Sequence, residues 1–427
     1  MKHVAIVGLG AAGCRAAMLL NQPGIELHLF EARDRVGGRL HTVRAGVGFY
    51  EAGGEWIDAD NPRVLELCEE LGIEIERSDL WPGVVEYAGE RCPEDQPWPD
   101  CVASLDGADL AADTLCLDLV EPAYENVLSM DLDAQSLSGF LDRVAATPRG
   151  RWWLEATIRS DEGDDSARIG LLGWLCGRLK YEERGEGDMS AYRIGGGAQT
   201  LCEQMLARVD IKPRMGEALR RVLRDGDQVE LVFDDYAGTY DHVILTLPPP
   251  AIKELVFEPA LHELKEAALD LCGMSRAVKV SLIFNEAALS LPGWPRRMLA
   301  DKTFQQVWDA SRDGSPPVLN CYICGDRADT LRTSVDPVGT VLGELDALCP
   351  GLRAQWLSGE LHDWVGDPWA QGAFSHLAPE YVLGGMEWMG TADGRIHFAG
   401  EHTGTWIGFI EGALESAERV AKEVLDA

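Results

Sequence analysis

The sequence predicts an α/β protein built on a doubly wound sheet, with an α+β region inserted into it. Three observations carry that expectation. A β-branched run, Val4 to Val7, leads into the glycine turn Gly8-Leu9-Gly10-Ala11-Ala12-Gly13 and then into small and apolar residues at helical spacing. The chain is 427 residues long, too long for one hydrophobic core. Its last stretch, Glu411 to Leu425, sets apolar and charged residues at helical spacing, as an amphipathic helix does.

The opening unit is the most specific. A second strand, Glu26 to Phe30, follows the helix and ends at Glu31. Strand, glycine turn, helix, strand and acidic residue in this order form a Rossmann-like dinucleotide-binding unit. Gly8 permits the tight turn, Gly10 lets the backbone approach a pyrophosphate, and Gly13 lets helix and strand pack closely. The helix start at Ala11 and Ala12 offers open N–H groups and positive potential to phosphates. Glu31 can accept hydrogen bonds from ribose hydroxyls. Ala32-Arg33-Asp34-Arg35-Val36-Gly37-Gly38-Arg39 continues directly, adding a second close-approach pair, Gly37-Gly38, and a fork-shaped donor, Arg39. Tyr50-Glu51-Ala52-Gly53-Gly54-Glu55-Trp56-Ile57 brings another glycine pair that can lie against a ring.

Bulk properties narrow the class. Net charge is −33 and no basic patch interrupts it, which argues against nucleic acid or anionic membranes as partners. The same charge can draw cationic substrates, although solubility is the plainer reading. No stretch reaches the roughly 18 to 20 apolar residues of a membrane span. Ala11-Ala12-Gly13-Cys14 resembles a lipoprotein cleavage site, but Gly8 and Gly10 break the short apolar stretch before it. The eleven scattered cysteines read as reduced thiols in a cytoplasmic protein. Cys321 and Cys324 have CxxC spacing, but they lie in an apolar run, Val318 to Cys324, that reads as a buried strand without a second pair.

The segments GLGAAG, FEARDRVGGRLHT and YEAGGEWI resemble the start of the flavin-containing amine oxidase family, which includes monoamine, polyamine and L-amino acid oxidases. The resemblance implies FAD, wrapped by these segments from adenosine to flavin. Gly8, Gly10, Ala11, Ala12, Gly13, Glu31, Ala32, Arg33, Gly37, Gly38, Arg39, Gly53, Gly54, Glu55 and Trp56 are then cofactor-binding. Phe398-Ala399-Gly400-Glu401 and the turn to Gly408-Phe409-Ile410 resemble the family's closing motif, adding Gly400, Glu401, Gly408, Phe409 and Ile410. A helix start there would put positive potential near the pyrimidine edge of the flavin. Monoamine oxidases carry a cysteine at the position of Ala373 and bind FAD through it; alanine here implies non-covalent FAD. Phe374 and Phe409 correspond to two aromatic walls over the flavin, able to frame a slim amine, although buried Phe is also common in cores.

The middle of the chain carries fewer signals. Tyr192 to Leu201 resembles the re-entry into the FAD domain, with a helix from Leu201 to Val209. Strands Leu219 to Leu223 and Val229 to Phe233 flank the turn Asp225-Gly226-Asp227. Strand Val243 to Leu247 stops at Pro248-Pro249-Pro250. By resemblance, Leu247 and Glu217 lie near adenine, where the family has valine in place of Glu217. Lys279 interrupts an apolar strand, Arg276 to Phe284. A buried lysine is costly without a partner or a lowered pKa. The resemblance makes it the lysine that holds a water at flavin N5, against the alternative of an edge-strand lysine reaching solvent. Asp58 reads as a surface carboxylate, or, as in some polyamine oxidases, as a partner for a substrate ammonium. Trp369 is a second candidate for substrate contact. Asp161 to Asp165 reads as an exposed loop.

The expected organisation is an FAD domain of three segments, 1–78, 185–250 and 373–427. A mostly helical insertion (79–184) and a mixed sheet carrying Lys279 (251–372) form the substrate domain. The expected reaction takes hydride from an amine's α-carbon to flavin N5. It yields an imine, then an aldehyde or ketone, with oxygen reduced to hydrogen peroxide. Two alternatives remain within flavin chemistry: an L-amino acid oxidase, whose carboxylate would need an arginine such as Arg63 or Arg193, and a desaturase or protoporphyrinogen-oxidase relative. A structural flavin in an assembly protein is a third. Partners are a small amine and oxygen or another acceptor, with a homodimer left open.

Overall fold

The computed structural model describes all residues except 46–47, 79, 81, 118, 120–126, 185–187 and 313. Two of the boundaries expected above, at 79 and 185, lie outside the described residues.

Five parallel strands form one sheet in the order Arg214–Met215, Ile25–Glu31, Lys2–Val7, His242–Leu245, Ile396–Phe398. The chain therefore visits this sheet early, in the middle and near its end. Parallel strands need both faces covered, which explains runs such as Val4-Ala5-Ile6-Val7 that are apolar throughout and buried. Helix Ala11–Leu20 and the closing helix Ile410–Asp426 cover one face. Leu414, Ala417, Val420 and Val424 recur at helical spacing and join Val4, Ile6 and Cys14 in one apolar cluster. A four-stranded sheet covers the other face, packing Phe233 and Tyr240 on Phe30.

The second large sheet has seven strands: Trp356–Asp363, Ala277–Phe284, Val318–Cys324, Gln306–Asp309, Arg297–Ala300, Val84–Tyr87 and Glu90–Pro93. Strand Ala277–Phe284 is flanked on both sides, so Lys279 is not an edge-strand residue; it is only 8% exposed. The region expected to be helical does contain helices Pro99–Leu117, Val127–Asp133, Leu137–Val144, Pro148–Glu162 and Leu171–Arg184. It begins, however, with the hairpin Val84–Pro93, which pairs onto the far edge of the lysine-bearing sheet.

Local expectations hold at the turn 225–227, in the free-thiol strand Val318–Cys324 and in the closing helix. The prolines after Leu247 do more than stop a strand. Pro248 is the N-cap and Pro249 the first residue of helix Pro249–Lys253, where a missing N–H costs nothing. The loop expected at Asp161–Asp165 is not exposed as a whole. Helix Pro148–Glu162 ends in left-handed Gly163, and Asp164 and Asp165 are buried among Arg159, Arg168 and Arg276. No described helix is long and apolar enough to cross a membrane.

Candidate active site

One continuous cavity of 1530 Å³ runs from the glycine turn to the lysine-bearing sheet. That exceeds an ordinary small-molecule pocket of about 300–1,000 Å³, leaving room for a dinucleotide and a second small molecule.

At the dinucleotide end, Gly8 has φ +95°, and a Cβ there would lie 2.6 Å from Thr246 Oγ1. A Cβ on Gly13 would run into the Gly8 carbonyl. Helix Ala11–Leu20 starts without a side-chain cap, and Gly10, Ala11 and Ala12 line the cavity. Its first N–H groups lie where the sequence expects donors to an anion. Gly37 and Gly38, both with positive φ, face Gly10. Glu31 is fixed by accepting the N–H groups of Leu9 (2.8 Å) and Arg33 (2.9 Å). Its oxygens keep lone pairs for hydroxyl donors. Ala32, Glu217 and Leu247 line this end, and the Glu217 N–H donates to the Glu31 carbonyl.

Two residues here differ from expectation. The Arg33 guanidinium forks onto Asp367, at 2.8 and 2.6 Å. Trp369, expected at the substrate, lies at the dinucleotide end. Its N–H donates to Asp367 and its ring meets Arg220 at 5.9 Å.

Midway, Arg39 Nη1 donates to Glu401 Oε1 at 2.7 Å and to the Ala373 carbonyl at 3.2 Å. Glu401 also accepts from the Ser375 N–H (3.2 Å), the Ser375 hydroxyl (3.0 Å) and the Gly408 N–H (2.8 Å). Burial pushes this carboxyl up, but Arg39 and His402 outweigh it and hold it below the usual carboxylate range. Glu401 thus draws on two backbone N–H groups, one hydroxyl and Arg39, which also lines the cavity. Gly53 is confined because a Cβ would overlap the Arg39 carbonyl; it lines the cavity with Gly54, Gly400, Gly408 and Ile410.

At the far end, Lys279 Nζ donates to the Gly53 carbonyl at 2.7 Å and to Glu55 Oε2 at 3.5 Å, and lies 5.0 Å from the Trp308 ring centre. Glu55 also accepts from Trp308 Nε1 (3.1 Å) and Asn320 Nδ2 (3.4 Å) and faces Arg193 at 3.3 Å. Burial would push the Glu55 carboxyl up; Arg193, Lys279 and Arg312 together hold it below the usual range. Burial lowers the Lys279 ammonium from its ordinary value, against the pull of Glu55 and Glu51. Thus Glu55, expected on the cofactor, lines the cavity chiefly as the counter-charge of Lys279. Trp56 carries the Arg193 guanidinium 4.1 Å from its ring centre.

Phe374 and Phe409 are half-buried on the same cavity, with Trp406 edge-on to Phe409 at 5.6 Å. Asp58 is not a surface carboxylate. It is 5% exposed, lines the cavity and accepts the Ser190 N–H at 2.7 Å. Around it stand Glu94, paired with Arg297 at 3.1 Å, and Asp161 and Glu162. The last two sit just before Gly163, where a Cβ would lie 2.7 Å from the Phe374 ring. Burial, then the neighbouring acids, push Asp161 to about 7 against Arg297; burial and Asp161 do the same to Glu162. Asp161 is solvent-accessible through the cavity, so water inside it reduces the shift.

Behind Glu55, Glu51 is 1% exposed. Burial and the Glu55 charge raise its pKa from 4.5 to about 7, opposed by the Ala198 N–H. A raised folded-state pKa stabilises fully below 4.5 and the benefit is lost as pH rises through 7. Glu51→Gln keeps the acceptor for Ala198. It should exceed the wild type by about 3 kcal/mol at pH 8, from 1.4 kcal/mol per unit, and lose that margin near pH 4. Denaturant midpoints at the two pH values measure it; equal midpoints at pH 8 would mean that Glu51 is ionised without cost.

Asp161, Glu162, Trp308, Asn320, Tyr322 and Trp406 were not singled out from sequence. Period-2 alternation was the available signal for one of them, since Tyr322 pairs with Lys279 across the strands.

A parallel dinucleotide-type sheet whose cavity continues past a buried lysine on a second large sheet is the layout of a dinucleotide-dependent oxidoreductase. The family described as "Flavin containing amine oxidoreductase" matches residues 11–425, and the chain belongs to it. FAD is therefore its cofactor, and the glycine cradle fits that group. Flavin-containing amine oxidase A of Canis lupus familiaris is 26% identical over 100% of this chain and 85% of its own length. Amine oxidase B of Cavia porcellus is 25% identical over 99% and 86%. Among solved structures, putrescine oxidase bound to putrescine superposes with TM-score 0.88 at 20% identity, covering 100% of this chain and 99% of that one. Cyclohexylamine oxidase from Brevibacterium oxydans gives 0.87 at 23% identity, with the same coverage.

Proposed function

We propose that this chain oxidises a small amine to an imine, which hydrolyses to an aldehyde or ketone, with oxygen reduced to hydrogen peroxide. Bound FAD supplies the two-electron acceptor for hydride from the amine's α-carbon. The chain's own groups do the rest. Ala11 and Ala12 hold the pyrophosphate by backbone N–H groups. Glu31 receives ribose hydroxyls. Alanine at 373 offers no sulfur for a thioether, so retention is non-covalent. Phe374 and Phe409 orient an apolar stem and exclude water. Asp58, Asp161 and Glu162 favour a cationic amine, and carboxyls raised by burial and by one another can take up a proton as it enters. Lys279 Nζ holds a donor at the wall formed by Gly53 and Glu55.

The observation that carries this reading is the acidic wall beside Phe374, in the same cavity as Lys279. It also weakens the amino acid alternative. Arg63 is taken up by Glu411 and Glu418, and Arg193 by Glu55 and Trp56. Neither is left to receive a substrate carboxylate.

Adding amines and amino acids anaerobically to the flavin-loaded protein tests it. Amines should bleach the flavin within seconds and amino acids should not. Bleaching by amino acids alone would select the L-amino acid reading, and bleaching by neither would overturn amine oxidation in favour of the desaturase-like or structural-flavin readings. Acid precipitation should release the flavin to the supernatant; yellow colour held in the pellet would refute non-covalent binding.

A further inference from the structure

His3, Glu26 and His28 form a three-donor cluster on the first two strands of the parallel sheet. His3 pairs in register with Glu26, and His28 follows two residues on, so all three side chains share one face. Glu26 bridges the rings. Its Oε2 lies 3.6 Å from His3 Nδ1 and its Oε1 lies 3.4 Å from His28 Nε2. All three donor atoms lie within 4.8 Å of one another. Around a tetrahedral zinc ion with bonds of about 2.0–2.1 Å, donors sit about 3.3 Å apart.

The His3, Glu26 and His28 side chains are 46%, 42% and 29% exposed, so an ion can reach them, and His28 Nε2 makes no hydrogen bond beyond its 3.4 Å approach to Glu26. The ring is held edge-on against Tyr240 at 5.1 Å, so it does not swing away. Other charges are near. Arg214 acts against a cation, while Asp241, which accepts the His3 N–H at 2.8 Å, acts for it.

We propose that His3, Glu26 and His28 bind one divalent transition ion of the zinc class, with water completing the coordination. Imidazole and carboxylate donors suit zinc, copper, nickel or iron better than calcium or magnesium. The site is empty. It lies at the beginning of both strands, whereas the dinucleotide lies beyond their ends at Gly8 and Glu31. At about 3.3 Å per residue that separation is over ~10 Å. An ion there joins two strands of the flavin sheet without touching the flavin. Its effect is on stability, through linkage between binding and folding.

The test is equilibrium dialysis of the chelator-treated, flavin-loaded full chain against zinc chloride, followed by metal analysis. The wild type should hold one zinc per chain and melt at a higher temperature, with an unchanged flavin spectrum. His28→Gln and the exposed His3→Gln should each weaken retention at least about 10-fold. The chain's other carboxylates serve as the internal control, because neither variant removes them. No stoichiometric zinc in the wild type, or retention unchanged in either variant, overturns the proposal.

Discussion

Lys279→Met is expected to slow flavin turnover by about 10²-fold or more, the scale for losing one preorganised donor at a reacting centre, while FAD stays bound. Methionine keeps most of the volume and removes the ammonium. Glu55 would retain Arg193, Trp308 and Asn320, so the pocket should stand. Stopped-flow mixing separates the two halves of the cycle: anaerobic amine reports flavin reduction and aerated buffer reports reoxidation. Unchanged rates in both halves would remove Lys279 from the chemistry. Glu55→Gln provides the companion measurement. Lys279 is already lowered by burial, and Glu55 is the leading charge opposing that shift. Without that charge the lysine deprotonates at lower pH, so the basic limb of the rate profile should move to lower pH. A purely structural lesion would lower the rate at every pH.

Arg39→Ala should be the most damaging change in the cofactor site. Glu401 is 6% exposed and Arg39 is its charged partner at 2.7 Å. Removing one member of a buried pair costs about 3–5 kcal/mol. Flavin retention should fall with stability, because Gly408 and Ser375 hang on the same carboxylate. Arg39→Ala/Glu401→Gln should recover part of the loss, since the stranded charge is then gone. Thermal melts with and without added FAD measure both effects. A single variant with unaltered melting and flavin content would show that Arg39 and Glu401 do not hold this site together.

The legible parts of the molecule were those set by local backbone demands. Gly8 and Gly13 announce a turn and a close helix because no other residue fits, and the structure keeps those reasons. Lys279 was legible as an anomaly, one cation in an apolar strand. Its partner was not. Glu55 is 224 residues away, and only the pairing of two sheets shows which charge answers which. Arg33 and Trp369 illustrate the reverse. Their neighbourhood in sequence pointed at ligands, but Asp367, brought in by another segment, captures Arg33 and ties the Trp369 backbone beside it. Asp161 to Asp165 looked like an exposed loop because four of its five residues are acidic. Arginines from separate elements neutralise Asp164 and Asp165, and a cavity receives Asp161. Arg159 and Arg168 stand close by in sequence, but Arg276 and the cavity wall come from distant segments and leave no local signature.

The flavin sheet takes its fifth strand, Ile396–Phe398, and its covering helix, Ile410–Asp426, from a stretch far along the chain from its first two strands. At about 5–20 residues per second, Ile25–Glu31 emerges roughly 20 to 80 s before that helix exists. During that interval the nascent chain carries parallel strands with one edge unpaired and one face bare. A chain truncated before Ile396 should therefore be both flavin-free and a client for holdase chaperones.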